Sequence, residues 1–169
     1  MLSALPLPFG DIGTYFTLLT MRGMVAREFM LPEVRLTATN IVAGIGGQNG
    51  TEQAHVIRDW LETHTEFLRD PDSVEMLHGP SWQVKQVQRN GRVYVDCDDV
   101  AMLAAALGKA VGLRARFVVV GFDSPTSPFR HVWTELSPRT SSAWVDMDTT
   151  RPAQGLPFNR ITRAFTMNV

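Results

Sequence analysis

The sequence predicts an α+β fold in which a central, cysteine-bearing helix packs on a small antiparallel sheet, with further helices on its N-terminal side. Three observations support this prediction. Apolar residues recur at helical spacing in the first half of the chain. Residues 97–110 form the clearest helical pattern, an alanine- and leucine-rich stretch that Gly112 would end. The second half contains β-branched or alternating runs, which are typical of strands.

Size and composition restrict the class of protein before any motif is considered. The chain has 169 residues, of which 44% are hydrophobic and 20% charged, as expected of one globular domain. Its net charge of −1 would not attract nucleic acid or an anionic membrane, so we expect neither as a partner. The single cysteine excludes an intrachain disulfide and a cysteine-rich zinc site, and it favours a reducing compartment. The sequence contains neither a long apolar run typical of a membrane span nor the basic start of a secretory signal.

The N-terminal region is predicted to contain an irregular arm followed by one helix. Prolines and glycines punctuate residues 1–13, which form the arm. Apolar residues at helical spacing predict a helix over residues 14–29, and Pro32 would end it. We therefore expect an N-terminal arm and helix within residues 1–45 and the core within residues 46–169.

The middle of the chain predicts two more helices separated by turns. The glycine-rich stretch 44–50 is a predicted loop, and it lacks the spacing of a dinucleotide-binding fingerprint. Thr51 is the predicted N-cap of the next helix, whose apolar positions extend to Leu68. A turn-rich segment over residues 69–80 and a short helix over residues 81–89 follow.

Strands are predicted after the central helix. Residues 115–122 form a β-branched run that is typical of a buried strand. Residues 131–136 and 143–148 alternate in polarity and predict two further strands, and residues 163–167 predict a last one. Because helices precede these strands in the sequence, we expect the helix to pack against one antiparallel sheet.

Three residues of this framework are suited to thiol catalysis. A nucleophilic thiol needs a base within hydrogen-bond reach and a third group that orients the base. Cys97 begins the central helix, where the helix dipole favours the thiolate and backbone N–H groups can hold an oxyanion. His131 opens one strand and Asp148 closes the next, so their side chains would line up if these strands are neighbours.

The same residues resemble the motifs of the bacterial transglutaminase-like superfamily, over about residues 50–150. The motif residues are Cys97-Asp98-Asp99 at the helix start, His131-Val132-Trp133 in a strand, and the run from Trp144 to Thr150. Val95 stands where the family usually has glycine, and Thr149 stands where it has proline. The preceding segment, residues 59–77, is similar to phage-encoded members of the superfamily.

The resemblance implies a papain-like core and an enzyme that hydrolyses amide bonds or transfers their acyl group, without a cofactor. Cys97 would be the nucleophile, His131 the base and Asp148 the orienting carboxylate, a role that Asp146 fits less well. The substrate would be a protein or peptide, contacted by Trp82 and Trp133. Hydrolysis is expected over cross-linking because the sequence shows no accessory domain for a second protein substrate.

The side-chain donor to the oxyanion is not identified by any motif. The candidates are Trp82, Gln83, Gln86 and Gln88. Asp98 and Asp99 have a simpler role as partners of the helix dipole, although their charges oppose formation of a thiolate.

Two further interpretations of the acidic residues are less favoured. A hard cation would accept oxygen ligands, but the spacing matches no known binding loop and we predict no metal. The candidate ligands are Asp96, Asp98, Asp99, His131 and Asp146. The stretch VDMDTT, residues 145–150, matches the nucleophile loop of haloacid-dehalogenase-like phosphatases, but too little chain follows it to build that fold.

A structural role is the alternative to catalysis. The likeness to phage-encoded members and the apolar N-terminal arm also fit a virion protein of the tail or head–tail region that keeps the fold as a scaffold. The arm would then bind other virion proteins. We accordingly expect the protein in the host cytoplasm or in the virion.

Overall fold

The computed structural model describes residues 2–4, 10–47, 49–71 and 76–169 of the chain. Within this part there are six helices and eight strands. The helices are α1 (Asp11–Glu28), α2 (Pro32–Ile41), α3 (Gly50–His64), α4 (Pro80–Asn90), α5 (Cys97–Ala110) and the single turn α6 (Arg151–Gln154). The strands are β1 (Leu2–Ala4), β2 (Thr65–Phe67), β3 (Met76–His78), β4 (Val93–Val95), β5 (Arg114–Phe122), β6 (Phe129–Ser137), β7 (Val145–Asp146) and β8 (Ile161–Asn168). None of the described helices combines the length and the apolar character that crossing a membrane requires.

A four-stranded antiparallel sheet, with the order β7-β6-β5-β8, forms one side of the protein. Strand β5 lies inside the sheet, and its β-branched and aromatic residues are buried from Phe117 to Phe122. It pairs with β6 so that Val120 lies opposite His131. Helices α1 to α5 supply the other side, which confirms the predicted α+β class with a central helix on a small antiparallel sheet.

Helix α5 is the centre of the hydrophobic core. Every residue from Asp98 to Gly108 is buried, and the small alanine side chains let the sheet and helices α1 to α4 all approach it. The sheet packs against α5 through Leu136 and the neighbouring apolar residues of β5 and β6. A Cβ at Gly108 would lie only 2.4 Å from Leu136 Cδ2, so this close approach of helix and sheet requires glycine.

The opposite face of the sheet has an apolar cluster of its own. It consists of Val118, Val120, Phe122 and Trp133, with Leu156 and Phe158 packed against them. Because side chains alternate along a strand, His131 lies on the same face as Trp133. The segment after β7 supplies Phe158, so the chain folds back over the face that carries His131.

The N-terminal helices belong to the same core as α5. Leu18, Met21, Met24 and Val25 of α1 are fully buried in the cluster that α5 centres. The boundary between residues 45 and 46, which stays a prediction, falls in the loop between α2 and α3.

Two helices were absent from the sequence prediction, α2 and the single turn α6. Helix α2 was missed because proline can either end a helix or begin one. Pro32 was expected to end the first helix, whereas it begins α2 at a position where a missing N–H is not needed. Asn49, not Thr51, caps α3, because its side-chain oxygen accepts a hydrogen bond from the backbone N–H of Glu52 at 3.2 Å.

Four short strands, β1 to β4, were also unexpected. Strands β2 and β4 form a parallel pair directly before α5, and each has three residues, too few for an alternation to be recognised. Residues 2–4 of the predicted irregular arm pair with β3, whereas residues 1 and 5–9 lie outside the described part. Leu68 follows the end of α3 and is exposed, although its spacing predicted a place on the apolar face of that helix.

Candidate active site

Cys97 is the first residue of α5 and is half-buried. Strand β4 and Asp96 lead directly into the helix, so the thiol lies at the end where the backbone N–H groups of the first turn point outward. The positive end of the helix dipole stabilises negative charge here, which favours a thiolate and an oxyanion at the same place.

The structure brings His131 and Asp148 together. His131 Nε2 lies 2.7 Å from Asp148 Oδ2, and the two side chains are 0% and 1% exposed. A carboxylate accepts hydrogen bonds, so Nε2 donates and carries the proton of the neutral ring. Nδ1 is then the basic nitrogen, and it is buried without a hydrogen-bond partner among the described residues. The imidazole is therefore oriented with its lone pair available.

Strand pairing explains why Asp148 reaches His131. Asp146 of β7 lies opposite Glu135 of β6, and Met147 N donates to Thr134 O at 3.0 Å. The chain therefore continues along β6 beyond the end of β7 and carries Asp148 towards the start of β6.

Packing of α5 against β6 sets where Cys97 lies relative to His131. Thr134 Oγ1 donates to the carbonyl oxygen of Ala101 at 2.6 Å, and Leu136 contacts Gly108 further along the helix. The helix and the strand therefore run in the same direction. Cys97 precedes Ala101 by about one helical turn and His131 precedes Thr134 by three residues, so both lie at the same end of the helix and sheet.

Asp148 is held by several donors besides the histidine. Its Oδ1 accepts from Thr150 N at 3.1 Å, from Thr150 Oγ1 at 3.0 Å and from Arg151 N at 3.1 Å. Its Oδ2 also accepts from Arg151 Nε at 3.1 Å. Burial alone would raise the pKa of Asp148, but the hydrogen bond and charge of His131, the Arg151 charge and the Thr150 hydroxyl together lower it. Asp148 is therefore a carboxylate at neutral pH.

Asp146 contacts the arginine rather than the histidine. Its Oδ2 lies 2.8 Å from Arg151 Nη2, and its Oδ1 accepts from Asp148 N at 2.7 Å. Arg151 and Thr150 were missed by the sequence prediction, although hydroxyl and guanidinium donors directly after a candidate carboxylate were a visible signal.

Aromatic rings cover the imidazole. The ring of Trp133 stacks against His131 with centroids 5.6 Å apart, and the ring of Phe158 meets it edge-on at 5.1 Å. These rings exclude water from the imidazole and strengthen its bond to Asp148. Trp133 itself is buried, and its predicted contact with substrate stays a prediction.

A second buried histidine–carboxylate pair lies beside the nucleophile. Asp99 accepts hydrogen bonds from the backbone N of His78 at 2.6 Å and from its Nδ1 at 2.7 Å. Burial raises the pKa of Asp99 to about 7, against the opposing hydrogen bond from His78. The hydrogen bond to Asp99 raises the pKa of His78. The sequence analysis assigned no functional role to His78, because its partner is remote in the chain.

The carboxyl of Asp98 lies in the first turn of α5 and is buried. Burial first, and then the neighbouring carboxyl of Asp96, raise the pKa of Asp98 well above the ordinary range. Asp96 Oδ1 and Asp98 Oδ2 are both buried without a hydrogen-bond partner in the described part of the chain. A proton on Asp98 would bond these two oxygens. Fewer negative charges then oppose the thiolate than the three aspartates suggest.

The acidic residues include the one group in the described part whose geometry suits a metal ion. Carboxylate oxygens of Asp96, Asp98 and Asp99 lie within 4.8 Å of one another. The other two candidate ligands do not join this group, because His131 bonds to Asp148 and Asp146 bonds to Arg151.

Trp82 stacks on His78, with ring centroids 4.3 Å apart, and lines an open groove of about 290 Å³. The other lining residues are Gln86, Asn90, Arg92, Val93 and Tyr94. The groove therefore lies between α4 and β4, the strand that precedes Asp96 and Cys97 in the chain.

The glutamine candidates for an oxyanion donor differ in their surroundings. The amide of Gln83 donates to the carbonyl oxygens of His78 at 2.7 Å and of Asp99 at 2.8 Å, so both its N–H groups are engaged within the protein. Gln86 lines the groove, and Gln88 is exposed.

Comparison with known proteins identifies relatives of this arrangement. The sequence model of the transglutaminase-like superfamily matches residues 38–149. No curated protein sequence matches the chain. A solved structure from Cytophaga hutchinsonii, described as a candidate cysteine protease, is similar with a TM-score of 0.53 and 16% identity, covering 89% of this chain and 53% of its own. A candidate protease from Parabacteroides distasonis ATCC 8503 has a TM-score of 0.50 and 15% identity, covering 78% of this chain and 29% of its own. Both likenesses show the fold, and this chain spans about half or less of either protein.

Proposed function

The chain belongs to the transglutaminase-like superfamily, and we propose that it is a cysteine-dependent hydrolase or acyl transferase of amide bonds that acts through Cys97, His131 and Asp148. One observation carries the proposal. The bond between His131 Nε2 and Asp148 leaves Nδ1 as a buried, basic nitrogen at the end of the sheet where α5 begins. That nitrogen is the atom that a thiol base requires.

In the first step, Nδ1 of His131 takes the proton of the Cys97 thiol, and the sulfur attacks the carbonyl carbon of the amide. The carbonyl electron pair moves to oxygen, where the N–H groups at the start of α5 stabilise the charge. Asp148 continues to accept the hydrogen bond from Nε2 and stabilises the imidazolium that forms.

In the second step, the imidazolium of His131 gives its proton to the leaving nitrogen, and the carbon–nitrogen bond breaks. A thioester between the acyl group and Cys97 remains. Water or an amine then loses a proton to His131 and attacks the thioester, which releases the acid or the new amide and returns the proton to the sulfur. Water as the acceptor gives hydrolysis, and an amine gives transfer.

The substrate is proposed to be a protein or peptide that lies along the groove beside Trp82. The groove contains two aromatic rings, of Trp82 and Tyr94, together with amide side chains, and β4 leads from it to Cys97. An aromatic and amide lining suits an extended peptide with an apolar side chain.

Thiol reactivity tests the proposal without knowledge of the substrate. The protein is treated with iodoacetamide at pH values from 5 to 9, and the adduct at Cys97 is quantified by mass spectrometry. We expect fast alkylation already at pH 6, lost in His131→Ala and retained in His55→Ala, a control at an exposed histidine. A thiol that reacts only above about pH 8, as an ordinary cysteine does, contradicts the proposal.

A structural role in a virion is the second candidate. Ile12, Tyr15 and Phe16 of α1 are 65%, 52% and 52% exposed, and exposed apolar side chains of this kind favour a protein contact. Light scattering on the purified protein distinguishes the candidates. A defined ring or stable higher assembly supports the scaffold, and a monomer with a reactive thiol opposes it.

A further inference from the structure

We propose that Arg151 is a positioning residue of this site, which fixes the orienting carboxylate and sets the alkaline limit of the thiol–imidazole pair. The inference rests on the proposed function, because it concerns the base that the function requires.

The contacts of Arg151 converge on Asp148. Its backbone N–H donates to Asp148 Oδ1 and its Nε–H donates to Asp148 Oδ2, both at 3.1 Å. Oδ2 is also the oxygen that accepts the His131 proton at 2.7 Å. The guanidinium and the imidazole therefore share one carboxylate oxygen. A second anchor, the 2.8 Å bond between Arg151 Nη2 and Asp146, holds the guanidinium in this orientation.

The same guanidinium contacts both rings that cover the histidine. It lies 4.6 Å from the centroid of the Phe158 ring and 5.4 Å from that of Trp133. Cation–π contacts of this length stabilise a planar guanidinium stacked over a ring. Arg151 thus joins the carboxylate and the aromatic cover into one unit around His131, and movement of either would loosen the other.

The charge of Arg151 has a predictable effect on the pair. The charged groups beside the imidazole are Asp148 after β7 and Arg151 on α6, with Asp146 of β7 bound to Arg151. Cys97 lies at the start of α5, at the same end of the helix and sheet. The uncharged neighbours are Val120 of β5 and Phe158 of the turn at residues 158–160. The guanidinium offsets part of the Asp148 charge that stabilises the imidazolium. Without it, the imidazolium persists to higher pH.

The experiment compares the pH dependence of Cys97 alkylation by iodoacetamide in variants of the full chain. In Arg151→Gln the alkaline inflection of the profile should move up by about one pH unit, as expected for loss of a partly exposed cation that shares Oδ2 of Asp148 with the imidazole. Arg151→Lys retains the charge and should move it by less than half as much. Arg160→Gln removes an exposed cation that pairs with Asp123, and should leave it in place.

Two results would overturn the inference. One is an alkaline inflection in Arg151→Gln that coincides with that of the wild type. The other is an unchanged inflection in Asp146→Asn, the variant to be used if Arg151→Gln does not fold. Asp146→Asn keeps an oxygen acceptor for the Asp148 N–H and removes a negative charge that offsets Arg151. Its inflection should move to lower pH, and an unchanged profile contradicts the role of Arg151.

The wild-type profile separates failure of this inference from failure of the proposed function. A single inflection at the pH of an ordinary cysteine means that no thiol–imidazole pair exists, which contradicts the function itself. Two inflections that are unaffected in the variants leave the function intact and remove only the role of Arg151.

Discussion

Two histidine–aspartate pairs with the same bond length lie in different settings in this protein. His131 Nε2 and His78 Nδ1 are each 2.7 Å from a carboxylate oxygen, of Asp148 and Asp99 respectively. Both carboxylates are almost completely buried, and each histidine ring stacks on a tryptophan. Distance and burial alone would assign the two pairs the same role.

The charges around the two carboxylates differ. Asp148 is surrounded by donors, including the Arg151 cation, and although burial opposes them, its pKa is lowered. Asp99 has Asp96 nearby, and burial raises its pKa to about 7 despite the histidine. A carboxylate that stays ionised can stabilise an imidazolium, and one that titrates near neutrality does so only in part. The surrounding charges, rather than the bond length, therefore distinguish a candidate base from a structural pair.

The largest expected effect comes from replacing each histidine. His131→Ala should reduce the rate of Cys97 alkylation at pH 6 by about 10²- to 10³-fold, because the thiolate loses its imidazolium partner. His78→Ala should reduce it by less than about tenfold, because a structural pair affects the thiol only indirectly. Stopped-flow or mass-spectrometric alkylation measures both rates, with circular dichroism to confirm folding. A larger loss in His78→Ala would reverse the assignment of the two pairs.

The next largest effect is a loss of protein stability when the carboxylate that pairs with His131 is replaced. Asp148→Asn should lower the free energy of unfolding by about 3 kcal/mol at pH 7, because His131 and Arg151 would lose the negative charge with which they pair. The folded-state pKa of Asp148 is lowered, so its contribution is present above the unfolded value and is lost as the pH falls through the folded pKa. Urea unfolding at pH 7 and below pH 4 should show the difference between the two proteins narrowing in acid. A constant difference would mean that the charge of Asp148 contributes nothing.

The opposite pH dependence of stability is expected for Asp98, which lies beside the nucleophile. The folded-state pKa of Asp98 is raised, so its stabilising contribution is complete below the unfolded value and is lost as the pH rises. Asp98→Asn retains the acceptor for Asp99 N and imitates the protonated carboxyl. Relative to the wild type, its free energy of unfolding should therefore rise with pH above the range in which an unfolded aspartate titrates, as urea unfolding at pH 5 and pH 8 would show. Asp59→Asn, at an exposed position, is the control, and equal curves for Asp98→Asn and the wild type would contradict the prediction.

The smallest effect distinguishes the two tryptophans. Trp82 lines the groove, whereas Trp133 is 8% exposed and covers His131. With fluorescently labelled casein as the probe, Trp82→Ala should raise KM about threefold and leave kcat unchanged, since the groove would bind substrate and transition state equally. Trp133→Phe should instead change kcat. A fall in kcat for Trp82→Ala would place that side chain closer to the reacting atoms.

Local pattern determined the central elements of the fold. The boundaries of α5 were predicted to the residue, and those of β5 and β6 to within two, because each is long enough for its periodicity to be visible. The order of Cys97, His131 and Asp148 along these elements was also visible in the sequence. The resemblance to the superfamily, which the family model confirms, rested on those same residues.

Tertiary contacts determined the short strands and the role of Pro32 at a helix start. Strands β2 and β4 have three residues each, so pairing with one another, rather than an internal pattern, makes them strands. Pro32 begins a helix because Val34 and Ala38 of α2 are buried in the core, and nothing local distinguishes that start from the end of α1.

The charge states near the thiol were also decided by the tertiary structure. The sequence placed three aspartates around Cys97, and the charges of Asp98 and Asp99 were expected to oppose a thiolate. Burial of Asp98 and the pairing of Asp99 with His78 change that balance, and both depend on chain segments that are distant in the sequence. Electrostatic energies depend on burial and on distances through space, so the residue order could name the candidate groups, and only the folded arrangement could assign their charges.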